Sequence, residues 1–222
     1  MEKIMQPDIC LFDFDGTLVD SMPVYERTMK HLLDENGITY GPNLIRITTP
    51  LGLTATTAYF QSLGLKLSPL EQLEIMKKEM AEQYFFHIPE KPNVTKILKM
   101  LKDQGMQLCV LTASPHITMD PCLRRIGIFD LFDQVWSCDD FSTTKSDPSI
   151  YIRAAEKLGT ATERILFLDD NPGACRTAAS AGMKVCAVYD ASSEDFQEEM
   201  RSSFDAYIAD FDELPNVINR MK

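Results

Sequence analysis

The sequence lacks any closely spaced pair of cysteines, although it contains six of them. A Cys-x-x-Cys pair would be typical of a zinc site or a redox motif. Three of the cysteines, Cys10, Cys109 and Cys186, instead lie inside apolar runs of the kind that forms strands. We therefore expect buried free thiols rather than disulfides or zinc. A cytoplasmic location follows, because cytoplasmic proteins keep their thiols reduced.

Long apolar runs and clusters of basic residues are missing as well. No stretch reaches the about 20 apolar residues of a membrane-spanning helix, and residues 1–8 contain no apolar core of a signal peptide. The formal net charge is -11, without a block of Lys or Arg, whereas nucleic-acid-binding proteins usually carry a basic stripe. We expect no membrane and no nucleic-acid partner, but a monomer that binds a small ligand.

The sequence does contain a regular alternation of apolar runs and helical segments. The runs are typical of buried parallel strands and cover residues 9–14, 106–112, 134–137, 164–168 and 184–189. A capping residue followed by proline marks helix starts at Ser68, Ser114, Asp147 and Asn171. This alternation predicts an α/β fold with a Rossmann-like, doubly wound parallel sheet.

Residues 21–89 interrupt the alternation with helical periodicity and no convincing strand. Apolar residues recur there at helical spacing, from Val24 to Leu33 and from Leu70 to Tyr84. We predict a helical cap domain at 21–89, inserted into an α/β core domain of residues 1–20 and 90–222. The aromatic and Met side chains of this insert are expected to form its own core.

Two acidic residues, Asp13 and Asp15, follow the first predicted strand. Alternation along an extended strand places both carboxylates on one side. The carboxyl end of a parallel strand opens into the crevice where ligands of such sheets bind, and Gly16 lets the backbone turn away. An acidic turn that caps a helix is the structural alternative.

A second acidic pair, Asp169 and Asp170, ends the predicted strand 164–168. Adjacent acids without a nearby Arg suggest a bound cation. Hard oxygen ligands and a phosphate suit Mg²⁺, which is typically held by one or two carboxylates. Capping of the next helix explains Asn171 but not the two acids.

Two further segments lie between the acidic pairs: Leu108 to Pro115 ends a strand at Thr112, and Lys145 precedes a helix start. In this order the four segments resemble the four motifs of the haloacid dehalogenase superfamily, and the resemblance covers essentially the whole chain. The helical insert is similar to that of the subgroup with phosphoglycolate phosphatase and β-phosphoglucomutase. The family usually has Pro directly after the Lys, where this chain has Ser146.

The resemblance implies that Asp13 is the nucleophile and Asp15 the general acid and base. A carboxylate can form a covalent acyl-phosphate, which splits one difficult displacement into two easier ones. A second carboxyl can protonate the leaving alkoxide and then activate water. Because dehalogenases of this superfamily lack the second Asp, Asp15 favours phosphoryl transfer.

The resemblance also implies a phosphate site and a metal site. The substrate phosphate would be bound by Thr112, Ala113, Ser114 and Lys145. The helix after Ser114 would point free N–H groups toward the same anion. Mg²⁺ would be held by Asp13, the backbone carbonyl of Asp15, and Asp170, with Asp169 in a supporting role.

These features predict a magnesium-dependent phosphatase of a small phosphorylated metabolite, with a cap that closes over the core and excludes water. A β-phosphoglucomutase-like enzyme is the alternative. It would need a basic residue shortly after a cap Gly, and none follows Gly52 within residues 53–57, although Arg46, Lys77 or Lys78 could serve. A phosphoacceptor signalling protein and a non-catalytic binding module are remoter alternatives. A signalling receiver would have no helical insert after its first strand.

Overall fold

The computed structural model describes residues 7–221, apart from the side chains of residues 49, 50 and 52. Residues 1–6, which hold most of the segment considered for a signal peptide, lie outside the described residues. The chain divides into two compact units: residues 7–20 with 89–221, and Ser21–Ile88. Among the described residues no helix is both long enough and apolar enough to cross a bilayer.

A parallel sheet forms the centre of the first unit. Its strands are β1 (Ile9–Phe12), β2 (Gln107–Thr112), β3 (Gln134–Ser137), β4 (Ile165–Asp169), β5 (Lys184–Val188) and β6 (Ala206–Ile208). Their spatial order is β3-β2-β1-β4-β5-β6, and every neighbouring pair runs parallel. The predicted doubly wound sheet is confirmed. Its order reverses between β1 and β4, which is where such sheets bind ligands.

Helices cover the sheet and make up the second unit. Within the described residues they are α1 (Met22–Glu35), α2 (Leu44–Ser62), α3 (Pro69–Phe86), α4 (Val94–Asp103), α5 (His116–Arg125), α6 (Ser149–Leu158), α7 (Pro172–Ser180), α8 (Gln197–Ser202) and α9 (Leu214–Arg220). β1 is buried along its whole length, as expected of a central strand covered on both faces.

The main core lies between the sheet and its helices. Tyr151 of α6 packs its ring edge-on against Phe167 of β4, with the ring centroids 5.1 Å apart. Burying an aromatic side chain of this size stabilises the fold by about 1.5–3 kcal/mol. All six cysteines are buried and free, as expected. Burial raises the pKa of the Cys122 thiol to about 11, so this thiol stays protonated at neutral pH.

Two of the four predicted helix starts are confirmed, and two were placed one residue early. Ser68 forms a capping box with Glu71, and Asn171 caps α7. α5 begins at His116, because Pro115 has an extended backbone with ψ of 152°. α6 begins after Pro148, although the Asp147 carboxylate does accept a hydrogen bond from Ser149 N at 2.9 Å.

β6 was not predicted from the sequence. This strand has three residues at the edge of the sheet, and only Ile208 among them is fully buried. A strand so short and so lightly buried has no apolar run to reveal it.

The second unit is helical, as predicted. Its core cluster consists of Met29, Leu32, Leu33, Leu44, Phe60, Leu65 and Met76. The predicted apolar face of α3 is wrong at its start, because Leu70 is 66% exposed while Gln72 is buried. At 3.6 residues per turn, position 72 and not 70 shares a face with Met76.

Candidate active site

Asp13 is the first residue beyond β1, and the sheet holds its backbone. Its N–H donates to the Leu168 carbonyl oxygen on β4 at 2.8 Å, and the residue is only 5% exposed. Lys145 Nζ donates to Asp13 Oδ1 and, at 2.7 Å, to Asp169 Oδ2. Burial works to lower the pKa of Lys145, but the charges of Asp13 and Asp169 outweigh it and hold that pKa well above the usual value. Lys145 is therefore a fixed ammonium between two carboxylates.

Asp169 ends β4, and Asp170 follows it. Asp169 is fully buried, and its Oδ1 accepts a hydrogen bond from Asn171 N at 2.7 Å. Asp170 is held by Thr17, whose hydroxyl donates to Asp170 Oδ1 at 2.9 Å and accepts from Asp170 N at 3.1 Å. This reciprocal pair fixes the Asp170 carboxylate. Thr17 lies within the first motif, but the sequence analysis assigned it no role.

Gly16 allows the turn after Asp15 to lie directly against Asp170. Its φ is +75°, and a Cβ added at this position would lie 2.5 Å from Asp170 Oδ2. A side chain here would therefore displace the carboxylate as well as strain the backbone.

Asp13, Asp169 and Asp170 form a buried cluster in which one carboxylate oxygen from each lies within 4.8 Å of the others. Burial raises the pKa of Asp13 to about 7, although Lys145 lowers it. Burial and the charge of Asp169 raise the pKa of Asp170 well above its usual value. Lys145 donates to two of these three buried carboxylates, and a cation would offset the remaining negative charge. Hard oxygen donors at this spacing fit a divalent ion such as Mg²⁺.

Asp15 and Ser114 form a second group at the same end of the sheet. The Ser114 hydroxyl donates to Asp15 Oδ2, and Ser114 N donates to Thr112 Oγ1 at 3.0 Å. Thr112 is buried at the end of β2, while Ala113 is exposed. The charge of Asp15 also acts to raise the pKa of Asp13, so the two groups lie within electrostatic reach of each other.

The structure therefore brings the predicted residues together in two linked groups. Asp13, Lys145, Asp169 and Asp170 form one, and Asp15, Ser114 and Thr112 the other. Ser114 N, expected to face a phosphate, instead donates to Thr112.

One buried ion pair near Asp170 was missed. Lys91 Nζ lies 2.7 Å from Asp190 Oδ2, with the side chains 12% and 5% exposed. The charge of Asp190 acts to raise the pKa of Asp170, and that of Lys91 to lower it. No local pattern reveals these two residues, because they are far apart in the chain.

The chain is similar to known proteins in sequence and in fold. The family model described as "Haloacid dehalogenase-like hydrolase" matches residues 10–188. The "Phosphorylated carbohydrates phosphatase" of Thermotoga maritima is 26% identical over 181 residues, covering 78% of this chain and 81% of the relative. The "Phosphoglycolate phosphatase" of Haemophilus influenzae strain 86-028NP is 28% identical over 187 residues, covering 80% and 82%. A solved structure of a HAD family hydrolase from Deinococcus radiodurans superposes with a TM-score of 0.80 at 18% identity, covering 98% and 97%, and shows the shared fold.

Proposed function

We propose that this chain, which belongs to the haloacid dehalogenase-like hydrolase family, is a magnesium-dependent phosphatase of a small phosphorylated metabolite. The observation that carries the proposal is the buried carboxylate cluster of Asp13, Asp169 and Asp170, with Lys145 donating to two of them. Relatives named for phosphorylated carbohydrates and for phosphoglycolate support a small phosphomonoester as substrate.

Asp13 is proposed as the nucleophile. Its carboxylate oxygen attacks phosphorus while the bond from phosphorus to the ester oxygen breaks, giving an aspartyl-phosphate and an alkoxide. Lys145 balances the negative charge that gathers around Asp13 during this step. Its contact with Asp13 supports that role.

Asp15 is proposed as the general acid and then the general base. It gives its proton to the leaving alkoxide, and it later takes a proton from the water that attacks the aspartyl-phosphate. The second step releases inorganic phosphate and restores the Asp13 carboxylate. The hydrogen bond from Ser114 to Asp15 supports this assignment, because it orients the Asp15 carboxyl.

Thr112, Ala113, Ser114 and Lys145 are proposed to bind the transferred phosphate. Mg²⁺ would be held by Asp13, the backbone carbonyl of Asp15, and Asp170, with Asp169 in support. When bound, the ion supplies positive charge that stabilises the phosphoryl group during transfer. The reciprocal bond with Thr17 keeps the Asp170 carboxylate in one orientation for this purpose.

The helical unit, Ser21–Ile88, is proposed to act as a cap that selects the substrate, on the resemblance of this insert to those of similar enzymes. We further propose a cytoplasmic location, which the buried free cysteines support. The monomeric state and the absence of nucleic-acid and membrane partners stay predictions.

The proposal is tested with a phosphate-release screen over a panel of phosphomonoesters, with and without Mg²⁺. Asp13→Asn keeps the size of the side chain but removes the nucleophile, so we expect activity to fall by at least about 10³-fold. Asp133→Asn is the control, because Asp133 pairs with Lys102 outside the site. Phosphate release by Asp13→Asn within tenfold of wild type would remove Asp13 from its role. Interconversion of hexose phosphates faster than phosphate release would indicate a mutase instead.

A further inference from the structure

His116, the first residue of α5, lies between two carboxylates. Its Nδ1 is 2.9 Å from Asp120 Oδ1, and its Nε2 is 2.8 Å from Asp140 Oδ2. A neutral imidazole has one N–H and can donate only one hydrogen bond. Both contacts are hydrogen bonds only when the ring is an imidazolium, so the geometry itself indicates the charged form.

The two carboxylates belong to different segments near the site. Asp120 lies on α5, which follows Ser114 closely. Asp140 lies in the 3₁₀ turn Cys138–Phe141 after β3, and its Oδ2 also accepts from Ser137 N at 2.9 Å. His116 therefore joins the start of α5 to the turn after β3.

The turn Cys138–Phe141 leads along the chain to Lys145. It is closed by Ser142 N donating to the Asp139 carbonyl oxygen at 3.1 Å, and Thr143 N, two residues before Lys145, donates to the Cys138 carbonyl oxygen at 3.5 Å. Burial raises the pKa of the Cys138 thiol and the charge of Lys145 acts to lower it, so the two residues lie within electrostatic reach. A shift of this turn would therefore move the backbone from which Lys145 reaches Asp13.

We propose that His116 is a positioning residue: as an imidazolium it ties the turn that supports Lys145 to the start of the helix that follows Ser114. This inference rests on the proposed phosphatase function, because the hydrogen bonds of His116 affect catalysis only through the positions of Lys145 and Ser114 around the phosphate. His116 need not touch the substrate for this role.

The tie, which consists of the two hydrogen bonds from His116 to Asp120 and Asp140, weakens as the pH rises. Burial works to lower the pKa of His116, but hydrogen bonds to Asp120 and Asp140 outweigh it and raise that pKa above its ordinary value of 6.5. Burial works to raise the pKa of Asp140, but three effects outweigh it and lower that pKa. They are the hydrogen bonds from His116 and Ser137 and the charge of Lys157 on α6. The tie is thus complete below pH 6.5 and is lost as the pH rises through the raised pKa of His116. Above it, the two carboxyl groups face a ring with one N–H.

The first test compares the pH dependence of kcat in wild type and in His116→Gln. Glutamine has a single donating nitrogen, which cannot reach both carboxylates as the two ring nitrogens do, and it carries no charge, so we expect kcat near neutral pH to fall by about tenfold to a hundredfold. The alkaline decline that coincides with the His116 titration in wild type should disappear in the variant. KM should change less than kcat, because the residue acts through Lys145 and Ser114.

His31→Gln is the matched control. His31 Nδ1 also lies 3.0 Å from a carboxylate, that of Glu79, and its Nε2 is 3.7 Å from Glu35. Since the His31 side chain is 55% exposed and both of its carboxylate partners lie outside the two groups of the candidate site, its replacement should leave the pH profile unchanged. The proposal is overturned if His116→Gln keeps both the wild-type kcat and the wild-type alkaline decline, or if His31→Gln alters the profile equally.

A second test needs no catalysis and separates this inference from the proposed function. NMR of the imidazole nitrogens should show both protonated at neutral pH, with a titration above pH 6.5 that Asp140→Asn lowers. Amide exchange of residues 138–145 should accelerate in His116→Gln. A neutral ring at pH 7, or unchanged exchange, would overturn the tie even in an active enzyme. Absence of phosphatase activity together with the expected NMR and exchange results would instead refute the proposed function.

Discussion

Gly16 is the residue of the site whose replacement the geometry restricts most. We expect Gly16→Ala to push the Asp170 carboxylate aside, because the new Cβ would lie 2.5 Å from Asp170 Oδ2. With Asp170 as a ligand of Mg²⁺, as proposed, displacing its carboxylate in this way should weaken Mg²⁺ binding by about 10- to 100-fold. The measurement is the Mg²⁺ concentration that gives half-maximal activity, or calorimetry of Mg²⁺ binding.

Gly127→Ala is the control that separates the backbone strain of an added methyl group from its clash with Asp170. Gly127 has φ of +78° and no atom within 4 Å of an added Cβ, so it shares the backbone strain but not the clash. Both variants should lose about 1–2 kcal/mol of stability from the left-handed backbone. Equal Mg²⁺ affinity in the two variants would show that the approach of Gly16 to Asp170 has no role in the metal site.

At the scale of the element, the start of α7 links helix stability to the site. Asn171 Oδ1 accepts hydrogen bonds from Gly173 N at 2.8 Å and Ala174 N at 3.2 Å. Asn171→Ala should therefore lower the free energy of unfolding by about 1 kcal/mol, the usual value of an N-cap. Urea unfolding measures it. Asn171→Ser keeps a capping oxygen and should lose at most half as much, and an equal loss in both variants would contradict a capping role.

β4 and the start of α7 show which features can be predicted from the sequence alone. The run before Asp169 is apolar throughout because β4 is covered on both faces, so its position and its acidic end were predicted. Asn171 and Pro172 mark the helix start by a preference that acts within a few residues. At β4 and α7 burial is continuous and capping is local, and there the prediction agreed with the structure.

Contacts between distant segments could not be read in this way. The hydrogen bonds of Thr17 with Asp170 and of His116 with Asp140 join residues that only the folded sheet brings together. The one-residue shift at α5 has a local cause, because proline at position 115 is compatible with both an extended cap and a first helical residue. Sequence reasoning thus indicated the residue types of the site but not the hydrogen bonds that orient them.

At the scale of the whole molecule, excess negative charge is a feature that the carboxylate cluster shares with the chain. The protein carries a formal net charge of -11, and Lys145 donates to only two of the three buried carboxylates clustered at the end of the sheet. Without a bound cation the folded state keeps protons on this cluster, because burial raises the pKa of Asp13 to about 7 and that of Asp170 well above its usual value. Folding and proton uptake are therefore coupled, and the proposed binding of Mg²⁺ would be coupled to both.

The direction of this coupling predicts how the stability of the protein changes when the pH is raised and when Mg²⁺ is removed. A carboxyl whose pKa is raised by folding takes up a proton on folding, so its contribution to stability falls as the pH rises from its ordinary pKa through the raised value. In the presence of EDTA the cluster should thus lose stability as the pH rises from the ordinary Asp value of 3.8 through about 7, the raised value of Asp13, and onward as Asp170 ionises. The proposed Mg²⁺ ion would bind the ionised carboxylates, so its stabilising effect should grow over the same range. At a concentration 100 times its Kd, the ion adds about 2.7 kcal/mol, or roughly 5–10 °C in Tm for a chain of this size.

Thermal unfolding with Mg²⁺ and with EDTA, at a series of pH values from about 6 to about 8, measures the increment in Tm directly. Asp170→Asn is the control, because it removes one raised carboxyl while keeping an oxygen toward Thr17. Its increment should be smaller and should vary less with pH. An increment in wild type that stays constant over this range would mean that the carboxylates of the cluster are already ionised without the metal, and the coupling of protons to the cation would not exist.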